Sequence, residues 1–132
     1  MPDERFVPSL AGDQIGGEES DFLVIEWTDS GDSGYDWIAP LHVHHADDEA
    51  WYVLDGALRV RLDDEVIEAG PGAAVFAAKG TPHAYGNARK GEPVRYLLVL
   101  TPRIRALIDA LHKPGATDYP AIFRAYESEL LS

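Results

Sequence analysis

Glycine and proline punctuate this chain so closely that short strands are the elements it can most readily build. Twelve glycines and nine prolines fall between brief apolar stretches, which is how an all-β sandwich or barrel separates its strands. After an acidic, glycine-bearing lead-in at 12–21, the first strand is expected at Phe22–Trp27. Thr28–Gly34 reads as an exposed, turn-rich loop. A strand then runs through Trp37–His44, and His45–Asp48 turns the chain back. Glu49–Leu54 and Ala57–Leu62 bracket Asp55-Gly56, a strong hairpin signal. Further strands are expected at Glu65–Glu68, Ala73–Ala77, His83–Asn87 and Val94–Leu100.

Beyond Pro102 the periodicity becomes helical, with Ile104, Leu107, Ile108 and Leu111 on one face and Pro114-Gly115 ending the segment. A second helix is expected to open at Asp118–Pro120, with Asp118 as its N-cap. Ile122, Phe123, Tyr126, Leu130 and Leu131 would form its buried face. The 132 residues suit one domain. Its parts are a lead-in at 1–21, a β-barrel at 22–100 and a helical extension at 101–132.

Charge and composition narrow the function. With 23 Asp+Glu against 11 Lys+Arg the net charge is −12, which argues against nucleic-acid partners and anionic membranes, since both need clustered cations. No apolar run approaches the roughly 18 residues of a spanning helix. The opening MPDERFVPSL lacks the basic stretch and apolar core of a signal peptide, so a cytoplasmic location is the expectation. With no cysteine, disulfides, thiolate catalysis and cysteine-based zinc sites drop out. Any metal must be held by histidine and carboxylate.

Four of the five histidines fall in two clusters. The first is Pro40-Leu41-His42-Val43-His44-His45-Ala46-Asp47-Asp48-Glu49. Residues two apart on a strand share a face at roughly 6.5–7 Å, so His42 and His44 can aim two imidazoles at one point. Glu49 faces away in an unbroken strand, but a turn at 45–48 lets it return beside them. The second cluster, Lys79-Gly80-Thr81-Pro82-His83-Ala84-Tyr85-Gly86-Asn87, is a tight turn into a strand whose inward residues include His83 and Tyr85. Three imidazoles and a carboxylate suit a divalent first-row metal with positions left for a substrate or dioxygen. His45 takes the outward phase, and His112 reads as a surface residue.

Together these residues resemble the cupin superfamily. Its first motif is His-x-His, three or four residues, Glu, six residues and Gly, matched by His42, His44, Glu49 and Gly56. Its second is Gly, five residues, Pro-x-Gly, two residues, His, three residues and Asn, matched by Gly72, Gly80, His83 and Asn87. Ala78 replaces the usual proline, and Asp36 stands where a glycine precedes the first motif. The resemblance covers about Phe22 to Leu100 and is narrower to single-domain, quercetin-dioxygenase-like cupins. It implies a double-stranded β-helix, or jelly-roll barrel, with metal ligands His42, His44, Glu49 and His83, and a homodimer.

The site then suggests a metalloenzyme for a small organic molecule, with dioxygenase-type chemistry first and Fe, Mn, Ni, Co or Zn as the metal. Glu49 and Tyr85 are the candidate catalytic residues, one to accept a proton and one to donate a hydrogen bond. Trp51, Val53 and Tyr85 share the inward phase and would wall the pocket, with barrel core as the equal alternative. Phe76, with Trp27 and Trp37, is a further candidate for which core packing is the competing account. Arg59 and Arg61 read as a solvated outer face. The alternatives are a non-redox isomerase or polyketide-type cyclase, or a small-ligand-binding cupin without turnover.

Overall fold

The computed structural model describes residues 6–32 and 36–131. Ten strands and two helices succeed one another: β1 (Gln14–Ile15), β2 (Leu23–Asp29), β3 (Trp37–His44), β4 (Glu49–Asp55), β5 (Leu58–Leu62), β6 (Glu65–Ala69), β7 (Ala74–Ala77), β8 (His83–Asn87), β9 (Val94–Leu100), α1 (Pro102–Leu111), α2 (Tyr119–Ala125) and β10 (Ser128–Leu130). They form two five-stranded antiparallel sheets, ordered β1-β2-β9-β4-β7 and β10-β3-β8-β5-β6. The architecture is the two-sheet jelly roll that the resemblance implies. Residues 33 and 34 of the expected 28–34 loop, and 1–5 of the lead-in, lie outside the described residues.

Alternation along the strands builds the core between the sheets. Leu23 and Ile25 of β2, Trp51 and Val53 of β4, Leu58 and Val60 of β5, and Val94, Tyr96, Leu98 and Leu100 of β9 all point inward. All five residues of β8 are buried, because β3 and β5 flank it and its outer positions are small. A Cβ on Gly86 would lie 3.1 Å from the Asp36 carbonyl oxygen, so β3 passes close over it. Among the described residues, no helix is long and apolar enough to cross a membrane.

Thr101 caps α1 by accepting from the Ile104 amide at 3.2 Å, with Pro102 in the first turn. Ile104 and Leu107 bury its inner face, and Arg103 pairs with Asp47 in the 45–48 turn at 3.3 Å. Asp118 caps α2 as expected, accepting from the Ala121 amide at 3.2 Å.

The end of the chain corrects the sequence reading. The second helix stops at Ala125, and Leu130 and Leu131 are not on it. Glu127 takes a left-handed conformation (φ 56°), and the chain turns into β10, which pairs Ser128 with His44 and Leu130 with His42. The His45 amide donates to the Glu127 carbonyl at 2.8 Å, and the Leu131 amide to that of Leu41 at 2.9 Å. A helix continued to Leu131 would bury Leu130 but leave these edge groups of β3 without backbone partners, which is the larger loss.

Candidate metal centre and ligand pocket

The four expected ligands converge from both sheets. His42 and His44 lie at the end of β3, and His83 at the start of β8 faces His42 across the ladder. Glu49 opens β4 of the other sheet, returned by the turn at 45–48. That turn is fastened to the second cluster, since the Gly80 amide donates to the His44 carbonyl and the Lys79 amide to Asp48, each at 2.8 Å. These bonds hold the turn that Ala78 opens, so the missing proline costs no ligand geometry. All four side chains are buried, at 2–4% exposure. One ligand atom from each lies within 4.8 Å of the others, and Glu49 Oε1 stands 3.2 Å from His44 Nε2 and 3.1 Å from His83 Nε2.

The outer nitrogens decide which atoms face inward. His42 Nδ1 lies 2.6 Å from the Pro40 carbonyl oxygen and His83 Nδ1 2.9 Å from that of Thr81. A carbonyl only accepts, so both Nδ1 atoms carry the proton. His44 Nδ1 meets Ser128 Oγ at 2.7 Å, and that hydroxyl donates onward to the Tyr126 carbonyl at 3.1 Å, so His44 also donates through Nδ1. A neutral imidazole has one N–H. Each Nε2 is then a lone pair, two of them directed at a carboxylate oxygen. Acceptor against acceptor in a buried site requires a cation between them, either a metal or extra protons on the imidazoles. Burial, followed by the neighbouring His83 and His44, pulls His42 down to about 3. Burial works against the Glu49 carboxylate, yet when His44 and His83 carry the extra protons their hydrogen bonds hold it down to about 2. Neutral imidazole and ionised carboxylate are the forms a divalent metal binds, so the donor set fits such an ion.

A cavity of about 660 Å³ lies between barrel and tail; none of the four ligands lines it, but Pro40 and Phe123, which do, adjoin His42. Trp27, Ile38, Tyr85 and Tyr96 line its barrel side, and Ile108, Leu111, Tyr119 and Phe123 its tail side. The Phe123 ring sits 5.5 Å from that of His42. Of the expected pocket residues, Tyr85 lines this cavity. Trp51 and Val53 are buried deeper in the core, with the Trp51 ring 5.6 Å from His83 and 5.2 Å from Tyr85. Phe76 takes the phase opposite to Val75 and Ala77 and stands 58% exposed, lining an outer groove with Asp48, Glu49 and Lys79 and not the cavity between barrel and tail. Burial, chiefly, pushes the Tyr85 phenol well above 10 and raises Tyr96 as well, so both remain neutral donors. His45 is outward, 3.4 Å from Glu129. Trp37 packs under Arg59, whose guanidinium lies 3.9 Å over its ring. A helical extension covering the barrel was one of the expected roles of the tail, but no pocket residue was assigned to it, although Tyr119 and Phe123 of α2 line the cavity. Sequence reasoning also missed Ser128, for which no local signal exists.

Residues 36–100 match the Cupin_2 family model, described as a cupin domain. No curated protein matches the chain at a significant level. Among solved structures, the chain is similar to a Klebsiella pneumoniae protein with a double-stranded β-helix domain, at 26% identity and TM-score 0.53, covering 64% of this chain and 70% of that one. It is also similar to a sugar phosphate isomerase of the cupin superfamily from Silicibacter pomeroyi, at 26% identity and TM-score 0.53, covering 62% of this chain and 51% of that one. A cupin domain from Schizosaccharomyces pombe shares the fold at 14% identity and TM-score 0.56, covering 67% and 57% of the two chains. In fold, paired histidine motifs and family match, residues 36–100 are thus similar to a cupin domain, with a buried His-His-Glu-His group that could bind a metal.

Proposed function

We propose that this protein is a metal-dependent enzyme acting on a small, largely apolar organic molecule that carries an oxygen donor, with dioxygenase-type chemistry. The observation that supports it most is the set of three Nε2 lone pairs and one carboxylate turned toward a common point, with a nearby cavity walled mostly by aromatic and aliphatic side chains beside Thr28, Asp29 and His112. Bound by His42, His44, Glu49 and His83, a divalent Fe, Mn, Ni, Co or Zn ion would supply Lewis acidity, and a redox-active one would also engage dioxygen. The protein's own groups supply the rest. Trp27, Tyr85 and Phe123 exclude water and favour a flat substrate. The neutral Tyr85 and Tyr96 phenols offer hydrogen bonding to a substrate oxygen, and Glu49 is the carboxylate placed to take a substrate proton. Among the described lining residues there is no lysine or arginine, which disfavours a phosphorylated substrate.

A second reading, non-redox isomerisation or polyketide-type cyclisation, draws on the similarity to the Silicibacter pomeroyi isomerase. A ligand-binding cupin without turnover is the third. Elemental analysis of untagged protein purified without metal-affinity resin, beside a His42→Ala/His83→Ala variant, tests the site. The expected result is near-stoichiometric Fe, Mn, Ni or Co in the wild type and loss in the variant, followed by oxygen uptake with phenolic or diketone substrates. Zinc with turnover under anaerobic conditions would favour the second reading. Equally little metal in both proteins, even after supplementation, would refute a metal site.

A further inference from the structure

The three histidines are not held in the same way. His42 and His83 each donate Nδ1–H to the carbonyl two residues earlier in their own chain segment, Pro40 and Thr81. His44 instead uses the hydroxyl of Ser128, 84 positions later in the sequence. Ser128 is 3% exposed, and its hydroxyl donates to the Tyr126 carbonyl, so it presents a lone pair to His44. Its placement depends on how the chain ends. The left-handed Glu127 turns α2 into β10, and the ladder then sets Ser128 directly opposite His44.

We infer that Ser128 is a positioning residue of the metal centre, fixing His44 as the Nδ1–H tautomer so that Nε2 faces Glu49 and His83, and that docking of the C-terminal strand completes the site. This rests on the metal-binding reading above. A hydrogen-bond partner of a metal-ligating imidazole sets its ring orientation and basicity, and losing it lowers metal affinity roughly 10–100-fold. The hydroxyl bonds His44 and the Tyr126 carbonyl and none of the other three ligands, so its loss is separable from theirs.

The test uses the full chain with Ser128→Ala and Ser128→Thr. Co(II) affinity is measured by competition with a chromogenic chelator, and the imidazole tautomers of metal-free protein by long-range 1H–15N spectra. Ser128→Ala is expected to fold, to bind Co(II) roughly 10–100-fold more weakly with an altered visible spectrum, and to lose the His44 Nδ1–H signal while His42 and His83 keep theirs. Ser128→Thr is expected to restore the signal and most of the affinity. Wild-type affinity and tautomer in Ser128→Ala would overturn the inference. So would a folded Ser128→Thr as weak as Ser128→Ala, since the loss would then be one of packing. If the wild type itself binds no Co(II), the metal reading fails, and the metal-free spectra still decide whether Ser128 sets the His44 tautomer.

Discussion

Gly56 and Gly72 both have left-handed backbones, with φ of +76° and +87°, yet alanine should cost very different amounts at the two. A non-glycine residue in that conformation costs about 1–2 kcal/mol, while the stiffer unfolded chain of the alanine variant returns about 0.4–1 kcal/mol. At Gly72 nothing lies within 4 Å of the added Cβ, so the net loss should be about 1 kcal/mol. At Gly56 the Cβ would sit 2.3 Å from the Pro93 carbonyl oxygen and 2.9 Å from Val94 Cα. Those are backbone atoms, so the chain entering β9 must move, and with it fully buried Val94 and Tyr96. Displacing a packed strand adds about 1–3 kcal/mol, which brings Gly56→Ala to about 2–4 kcal/mol. That is a large part of the 5–15 kcal/mol typical of a domain. Urea unfolding followed by tryptophan fluorescence measures both. Equal losses would show that backbone conformation alone sets the cost and that the close approach to β9 contributes nothing.

Alkaline pH should destabilise the protein through its buried phenols. Burial raises the pKa of Tyr85 and Tyr96 in the folded state, so the stability they confer is present below pH 10 and is lost as pH rises above it. The urea midpoint should fall above about pH 10, and more gently in Tyr96→Phe; an unchanged slope would contradict the assignment. Phe123→Ala should cost about 3 kcal/mol, the low end for a buried phenylalanine because a cavity lies on one side, and calorimetry would detect it. The homodimer expected from the family resemblance predicts a light-scattering mass near twice the 14.5 kDa chain; a mass near the single chain would refute it.

What could be read in advance depended on whether the signal was local. β3, β8 and β9 fall on the expected bounds, because alternation and flanking Gly, Pro and Asp residues mark them. Asp118 was legible as a cap because capping is decided within three residues. The ligand set was legible because strand alternation places His42 and His44 together, and the polar 45–48 segment announces a turn. β10 was not. Leu130 and Leu131 fit a helical stripe, and only the open edge of β3, built 84 residues earlier, makes a strand the better use of them. The pocket suffered similarly. Strand phase identified Trp51 and Val53 as inward but not their depth, and said nothing of a tail folding over the barrel mouth.

The two sheets supply the ligands unequally, three imidazoles from one and the carboxylate of Glu49 from the other. An ion held there would be a rivet through both layers, joining chain segments that lie far apart in sequence. Parting the layers would then mean breaking a coordination bond as well as separating apolar faces. Free metal at a hundred times its dissociation constant adds about 2.7 kcal/mol to the folded state. Because both sheets contribute to the grip, that gain should appear as slowed amide exchange in both together, and the resting protein would depend on its supply of metal for its lifetime.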